Sequence, residues 1–377
     1  MPLTQWCAYT FLERWKQVQI NNCGIAFNPN NHLIIMAGGA GSRFWPLSTE
    51  ERPKQFLDVI GCGRTLLQMS LDRFKNIVPI ENVYILTHEK YGSLVKEQLP
   101  EVPKENVLYE PARRNTAPCL CYAGYKIKKK NAKANIVVTP SDHLISDLKA
   151  FEETIKDAME FSAETDAIVT IGIKPTAPET GFGYIKADLS FSSSRRENIF
   201  KVDSFKEKPT LEVAQQYIKD PSYLWNAGIF VWNAATIVNA FRIYEPRMAK
   251  IFEDLMPFYG TEQEQEKINE AYPLCESISV DYAIMEKSEE IFTYPASFGW
   301  SDLGTWSALR ENNNKDKYGN ASIGNDFDFH ESYNNVVHTQ SFKKVVIQGL
   351  DGYVVAEKDG VLLICKLSEE QRIKSFH

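Results

Sequence analysis

Leu33-Ile34-Ile35-Met36-Ala37-Gly38-Gly39-Ala40-Gly41-Ser42-Arg43-Phe44-Trp45-Pro46-Leu47-Ser48, followed closely by Pro53-Lys54-Gln55-Phe56-Leu57, is the stretch from which the fold is read. An apolar run of strand length ends in three glycines within four residues, and two cations follow. Glycines let the backbone turn sharply and bring its N–H groups against an anion, and Arg43 and Lys54 supply compensating charge. The stretch therefore reads as a strand delivering a phosphate-binding loop. A dinucleotide fingerprint requires G-x-G-x-x-G opening directly into a helix. Here the third glycine is missing, and Pro46 and Pro53 interrupt any helix that would follow. A Walker A loop requires Gly-Lys followed by Ser or Thr, and none occurs in this stretch.

The 377 residues suffice for one large domain and a smaller one. A net charge of −7 argues against general nucleic-acid binding, which needs a basic surface, but leaves room for a local basic pocket. The seven cysteines are scattered, odd in number and without a C-x-x-C pair, so they read as reduced thiols of a cytoplasmic protein. No apolar run reaches the roughly 18 residues of a membrane span. Residues 1–30 lack the features of a secretion signal and read as a mobile N-terminal extension.

From Leu33 to about Val169, strand-like runs alternate with helical spacing, the pattern of a largely parallel sheet with helices on its faces. Asn135 to Thr139 is its central strand, ending at Pro140-Ser141-Asp142-His143. Ligands of open α/β sheets gather at the carboxyl ends of strands. Three such ends carry unusual chemistry: the glycine loop, the loop around Arg114-Asn115-Thr116, and Asp142. Taken alone, Asp142 reads as a turn or cap residue; in this company it reads as a ligand for Mg²⁺, a hard cation that prefers oxygen.

Beyond residue 170, Tyr184 to Ala187 and Ile199 to Phe205 read as antiparallel strands, with Ser190 to Asn198 a polar hairpin tip. Pro209 fixes a strand exit that leaves Glu207 and Lys208 free to point across the site. In Leu224 to Trp232 the aromatics read as core, while Asn226, before a small pair, suits a ligand hydroxyl. Ser279 to Lys287 reads as a helix. Asp302, between Ser301 and a Leu-Gly turn, is the candidate for a second metal carboxylate. From about Gly319 short β pieces alternate with polar turns, which suggests a small β-helix-like unit. Too small to stand alone, that unit must pack on the first domain or form the contact of a homodimer.

Six ordered segments together resemble the mannose-1-phosphate guanylyltransferases, among the sugar-nucleotide pyrophosphorylases. They are Gly38 to Ser48 with Pro53-Lys54-Gln55, Arg114 to Pro118, Asp142-His143, Glu207 to Pro209, Trp225 to Gly228, and Gly299 to Gly304. The chain departs from the family pattern at Ser42, Phe44, Phe182 and Thr49-Glu50, which bears on the finer substrate contacts. The resemblance implies a glycosyltransferase-A-like, Rossmannoid α/β mixed sheet with flanking helices and a C-terminal β-helix-like domain. Its boundaries would be 31–310 for the nucleotidyltransferase domain and 311–377 for the β-rich one. The implied reaction joins GTP and mannose 1-phosphate into GDP-mannose and pyrophosphate with Mg²⁺ as cofactor.

In that reading Ala37, Gly38, Gly39, Gly41 and Ser42 receive the nucleotide phosphates, with Asn115 and Thr116 near the guanosine. Arg43 and Lys54 stabilise the triphosphate and departing pyrophosphate, Asp142 and Asp302 hold the metal, Lys208 binds the sugar phosphate, and Gly183, Glu207 and Asn226 the sugar. Longer relatives carry an isomerase domain that this sequence lacks, so transferase activity alone is expected. A pyrophosphorylase for another sugar 1-phosphate or nucleotide, or a silent sugar-nucleotide sensor on the same scaffold, are the competing readings.

Overall fold

The computed structural model describes residues 27–39, 42–193 and 196–376. The expectation for residues 1–30 therefore lies, up to residue 26, outside the described residues, as do Ala40 and Gly41 of the loop. β1 (Asn31–Met36) is the apolar run quoted above, with Leu33 and Ile35 buried in one core cluster and Ile34 in another. A strand covered on both faces needs no polar alternation, hence its unbroken hydrophobicity. It is followed by α1 (Leu66–Asp72), β2 (Val83–His88), α2 (Gly92–Gln98), β3 (Val107–Glu110), α3 (Thr116–Lys130) and β4 (Asn135–Pro140). The four strands are parallel in the order β3-β2-β1-β4.

Next come β5 (Leu144–Ile145), α4 (Leu148–Glu164), β6 (Ile168–Ile173), β7 (Tyr184–Ser193), β8 (Arg196–Lys206), α5 (Leu211–Tyr217) and β9 (Tyr223–Asn233). The helices α6 (Ala234–Tyr244), α7 (Pro246–Asp254) and α8 (Glu264–Ala271) precede β10 (Ile291–Ala296), β11 (Trp300–Ser301) and α9 (Trp306–Glu311). The large sheet continues β4-β9-β6-β10-β8-β7, with β9 antiparallel to both β4 and β6. It is thus mixed, with helices on both faces: α3, α6 and α7 contribute to one core cluster, α1, α2 and α4 to the other. Among the described residues no helix is long and apolar enough to cross a membrane.

Two local readings change. The polar stretch taken as a hairpin tip is mostly strand: β7 reaches Ser193 and β8 resumes at Arg196, with shifts of register accommodating the polar residues. The expected helix over 279–287 is a single π turn, Asp281–Met285, in which the Glu286 N–H donates to the Asp281 carbonyl at 2.9 Å. Such widened turns recur at functional sites.

The C-terminal unit is a second sheet of β12 (Ala321–His330), β13 (Val336–Gln348), β14 (Tyr353–Lys358) and β15 (Val361–Lys366). β12, β13 and β14 pair in parallel although consecutive, so the chain coils back to the same end between them. Asparagines hold the coils together. Asn335 Nδ2 donates to Asn320 Oδ1 and to the Leu350 carbonyl, both at 2.9 Å, and its Oδ1 accepts from Tyr353 N at 2.8 Å. One face of this unit, with Val336, Val354 and Leu363, joins a core cluster containing Phe44, Trp306 and Ile373. Ile373 belongs to a 3-10 helix, Leu367–Ser375, that lies against the Ser42–Phe44 turn.

Candidate active site

The Pro53-Lys54-Gln55 turn organises the first half of the site. Pro53 precedes a short 3-10 turn that buries both Lys54 and Gln55. Gln55 Nε2 lies 3.2, 3.3 and 3.4 Å from the carbonyl oxygens of Ala37, Gly38 and Gly39, and the Thr87 hydroxyl donates to the Ala37 carbonyl at 3.1 Å. In a trans peptide the N–H points opposite to the preceding C=O. Carbonyls drawn toward Gln55 therefore turn the Gly38 and Gly39 N–H groups away from it. Gly39 has a φ of 101°, a conformation open to glycine. Both glycines are exposed, so their N–H groups are available to an anion.

Lys54 joins two distant segments. Its Nζ lies 3.1 Å from Asp142 Oδ2 and donates to the Asp302 carbonyl at 2.7 Å, with the Phe44 ring 5.6 Å away. The two aspartates are brought together by β5 and β11, which pair antiparallel just beyond Asp142 and just before Asp302. Asp302 Oδ1 accepts from Gly304 N at 3.0 Å, and its Oδ2 fills the place a side chain at 304 would need. Burial pushes the Asp142 carboxyl up, but the Lys54 ammonium outweighs it and holds the group below the usual carboxylate range.

Behind Asp142 stand two groups the sequence reading left without a role. Buried Arg73 donates to the His143 carbonyl, and burial lowers its guanidinium to about 10, still charged at neutral pH. Burial lowers the His143 imidazole as well, against the pull of Asp142. Neutral His143 accepts from Trp300 Nε1 on Nδ1 at 3.1 Å, which places its proton on Nε2, 3.9 Å from Asp142 Oδ1.

Arg43 is exposed on the Ser42–Phe44 turn. Asn115, with a φ of 64°, caps α3 through Thr116 N, and the Thr116 hydroxyl accepts from Val280 N at 2.9 Å. Glu110, at the end of β3, accepts from the Tyr272 hydroxyl at 2.6 Å, and burial pushes its carboxyl up to about 7.

The second half gathers at the ends of β7, β8 and β9. Glu207 is buried; its Oε1 receives Lys208 Nζ at 2.6 Å and its Oε2 occupies the space a side chain at Gly183 would fill. Glu207 N donates to Glu286 Oε1 at 3.0 Å, and Lys208 follows with a φ of 46°, a strained value for a residue with a side chain. Asn226 N donates to the Gly183 carbonyl at 2.8 Å. The Asn226 amide is largely spent inside the protein: Oδ1 accepts from Gly228 N at 3.0 Å and from Thr170 at 3.1 Å, and Nδ2 donates to Asp281 Oδ1 at 2.9 Å. Asp281, unread in the sequence, has its carboxyl pushed up to about 6, first by burial and then by Glu207. The halves meet where Gly228 approaches Pro140, leaving 3.3 Å between an added Cβ and Pro140 Cγ.

An exposed glycine loop on a mixed α/β sheet, joined through Lys54 to Asp142 and the Asp302 turn, is the arrangement expected of a nucleotide-handling transferase, and the model of the nucleotidyl transferase family matches residues 32–318. A mannose-1-phosphate guanylyltransferase of Salmonella montevideo is 38% identical over 357 residues, 91% of this chain and 74% of that one. One from Escherichia coli K12 is 36% identical over 335 residues, 88% and 69% of the respective chains. A solved structure described as mannose-1-phosphate geranyltransferase from Thermus thermophilus superposes with a TM-score of 0.81 at 29% identity, covering 92% of this chain and 98% of that one. The chain belongs to the mannose-1-phosphate guanylyltransferase family of nucleotidyltransferase enzymes.

Proposed function

We propose that the chain transfers GMP from GTP to α-D-mannose 1-phosphate, giving GDP-mannose and pyrophosphate. The observation that carries this reading is the junction at Lys54, one ammonium spanning Asp142 and the Asp302 turn beside glycine N–H groups turned outward. Several negative charges must approach one another, so the chemistry needs charge neutralisation and in-line positioning more than acid-base work. A phosphate oxygen of the sugar phosphate attacks the α-phosphorus of GTP. The new P–O bond forms as the bond to the bridging oxygen breaks, and pyrophosphate leaves with that electron pair.

Ala37, Gly38, Gly39, Gly41 and Ser42 cradle the nucleotide phosphates. Arg43 and Lys54 stabilise charge on the triphosphate and leaving pyrophosphate. Asn115 and Thr116 stand at the guanosine. Lys208 binds the phosphate of the sugar phosphate, with Gly183, Glu207 and Asn226 lining the sugar. Residues 31–310 carry the reaction and 311–377 brace it.

Asp142 and Asp302 fit Mg²⁺. They are hard oxygen donors on segments that β5 and β11 bring together. Mg²⁺ characteristically takes one or two carboxylates and completes its shell with phosphate oxygens and water. When bound, it neutralises charge on the reacting phosphates.

Pyrophosphate release, measured with GTP or ATP against mannose, glucose and fucose 1-phosphates, tests the assignment. GTP with mannose 1-phosphate should be preferred, and silence across the panel rejects it. Asp302→Asn should lower kcat by about 10²- to 10³-fold. Near wild-type turnover at saturating Mg²⁺ would sink the metal assignment.

A further inference from the structure

We propose that Asp281 binds a ring hydroxyl of the sugar phosphate, and that Asn226 acts as its positioning residue. The inference rests on the functional reading above and deepens its sugar half. Asn226 commits its carbonyl oxygen twice and one amide hydrogen once within the protein, which leaves a single N–H for a ligand. The bond from Gly228 N fixes which end of the amide is oxygen, so Nδ2 necessarily faces Asp281. What Asn226 holds in place is thus a carboxyl, and that carboxyl lies close enough to Glu207 and Lys208 to feel both charges.

The backbone is built to hold this arrangement. Asp281 opens the π turn, the Thr116 hydroxyl fixes Val280 just before it, and Glu286 just after it holds Glu207 N. A widened turn is less favourable than ordinary helix, and here it sets two acidic side chains against the Glu207-Lys208 elbow. Two carboxyls, Glu207 against Gly183 and Asp281 against the Asn226 amide, suit a ligand offering several hydroxyl donors. Ring hydroxyls of a hexose 1-phosphate meet that description, and Lys208 stands ready for the phosphate. Glu207 and Asp281 would then each accept from the sugar, and Asn226 keeps Asp281 aimed.

The test is a cycle between residue and hydroxyl. Initial rates are measured for the full chain, Asp281→Ala and Asp281→Asn, with mannose 1-phosphate and its 2-, 3-, 4- and 6-deoxy analogues, while unfolding curves confirm folded variants. Asp281→Ala should raise KM for mannose 1-phosphate by about 10- to 100-fold, with KM for GTP within about twofold. For one analogue the penalty seen in the wild type should vanish in Asp281→Ala, whereas a purely structural role would leave every penalty in place. Asp281→Asn, which retains an acceptor for Asn226, should retain part of the coupling, and Asn226→Ala should weaken the same hydroxyl's contribution. Undiminished penalties for all four analogues in both Asp281 variants overturn the proposal while the functional reading stands. A wild type that turns over no hexose 1-phosphate overturns both.

Discussion

Glu110 and Asp281 keep protons that exposed carboxyls would have lost, and this makes stability depend on pH in a definite direction. Burial raises Glu110 to about 7 and Asp281 to about 6. Each binds its proton more tightly folded than unfolded, so the stability it contributes is complete below about pH 4 and is lost as pH rises toward the folded value. For Glu110 a rise from 4.5 to about 7 corresponds to on the order of 3 kcal/mol. Glu110→Gln, which keeps an acceptor for Tyr272, should therefore raise Tm relative to wild type at pH 8 and lose that advantage near pH 5. A Tm difference independent of pH would show that burial is not the cause. The residues singled out from the sequence sit beside local signals: glycines, prolines, and charges next to strand ends. Asp281 and Arg73 carry no such signal, because each acquires its role from a partner 55 or 70 positions along the chain.

Among the elements, the parallel half of the sheet was legible since its strands are covered on both faces and read as unbroken apolar runs. The π turn was not: its apolar residues Ala283, Ile284 and Met285 are compatible with an ordinary helix, and the widening lies in one backbone bond, from Glu286 N to the Asp281 carbonyl. The C-terminal coils announced themselves as short strands between polar turns, but what holds them in register is a ladder of side-chain amides. Asn335 is fully buried and bonded to Asn320, Leu350 and Tyr353. Asn335→Ala should cost about 1 to 3 kcal/mol, since it leaves the Tyr353 N–H without its acceptor, while the Leu350 carbonyl keeps the Tyr333 N–H and Asn320 Oδ1 keeps the Asn335 N–H. Denaturant unfolding measures this; a loss below about 0.5 kcal/mol would mean the coils are held by packing alone.

At the scale of the molecule, the site leans on both the large sheet and the C-terminal sheet. Phe44 packs 5.1 Å from Trp306, in one cluster with Ile373 and strands β12 to β15, and the same Phe44 lies beneath Lys54. Ile373→Ala opens a cavity in that cluster and should cost about 2 to 5 kcal/mol. Because the Ser42–Phe44 turn rests on this helix, kcat/KM for GTP should fall by about tenfold at temperatures where the variant stays folded. Unchanged kinetics with lowered Tm would confine the helix to a stabilising part.

That packing sets a timetable during synthesis. The residue that seals Phe44 is polymerised 329 positions after it, a delay of roughly 15 to 65 s at ordinary translation rates of about 5 to 20 residues per second. For that interval the nascent chain presents an unsealed aromatic beside its glycine loop. The loop made first is therefore among the last parts of the site to be fully packed.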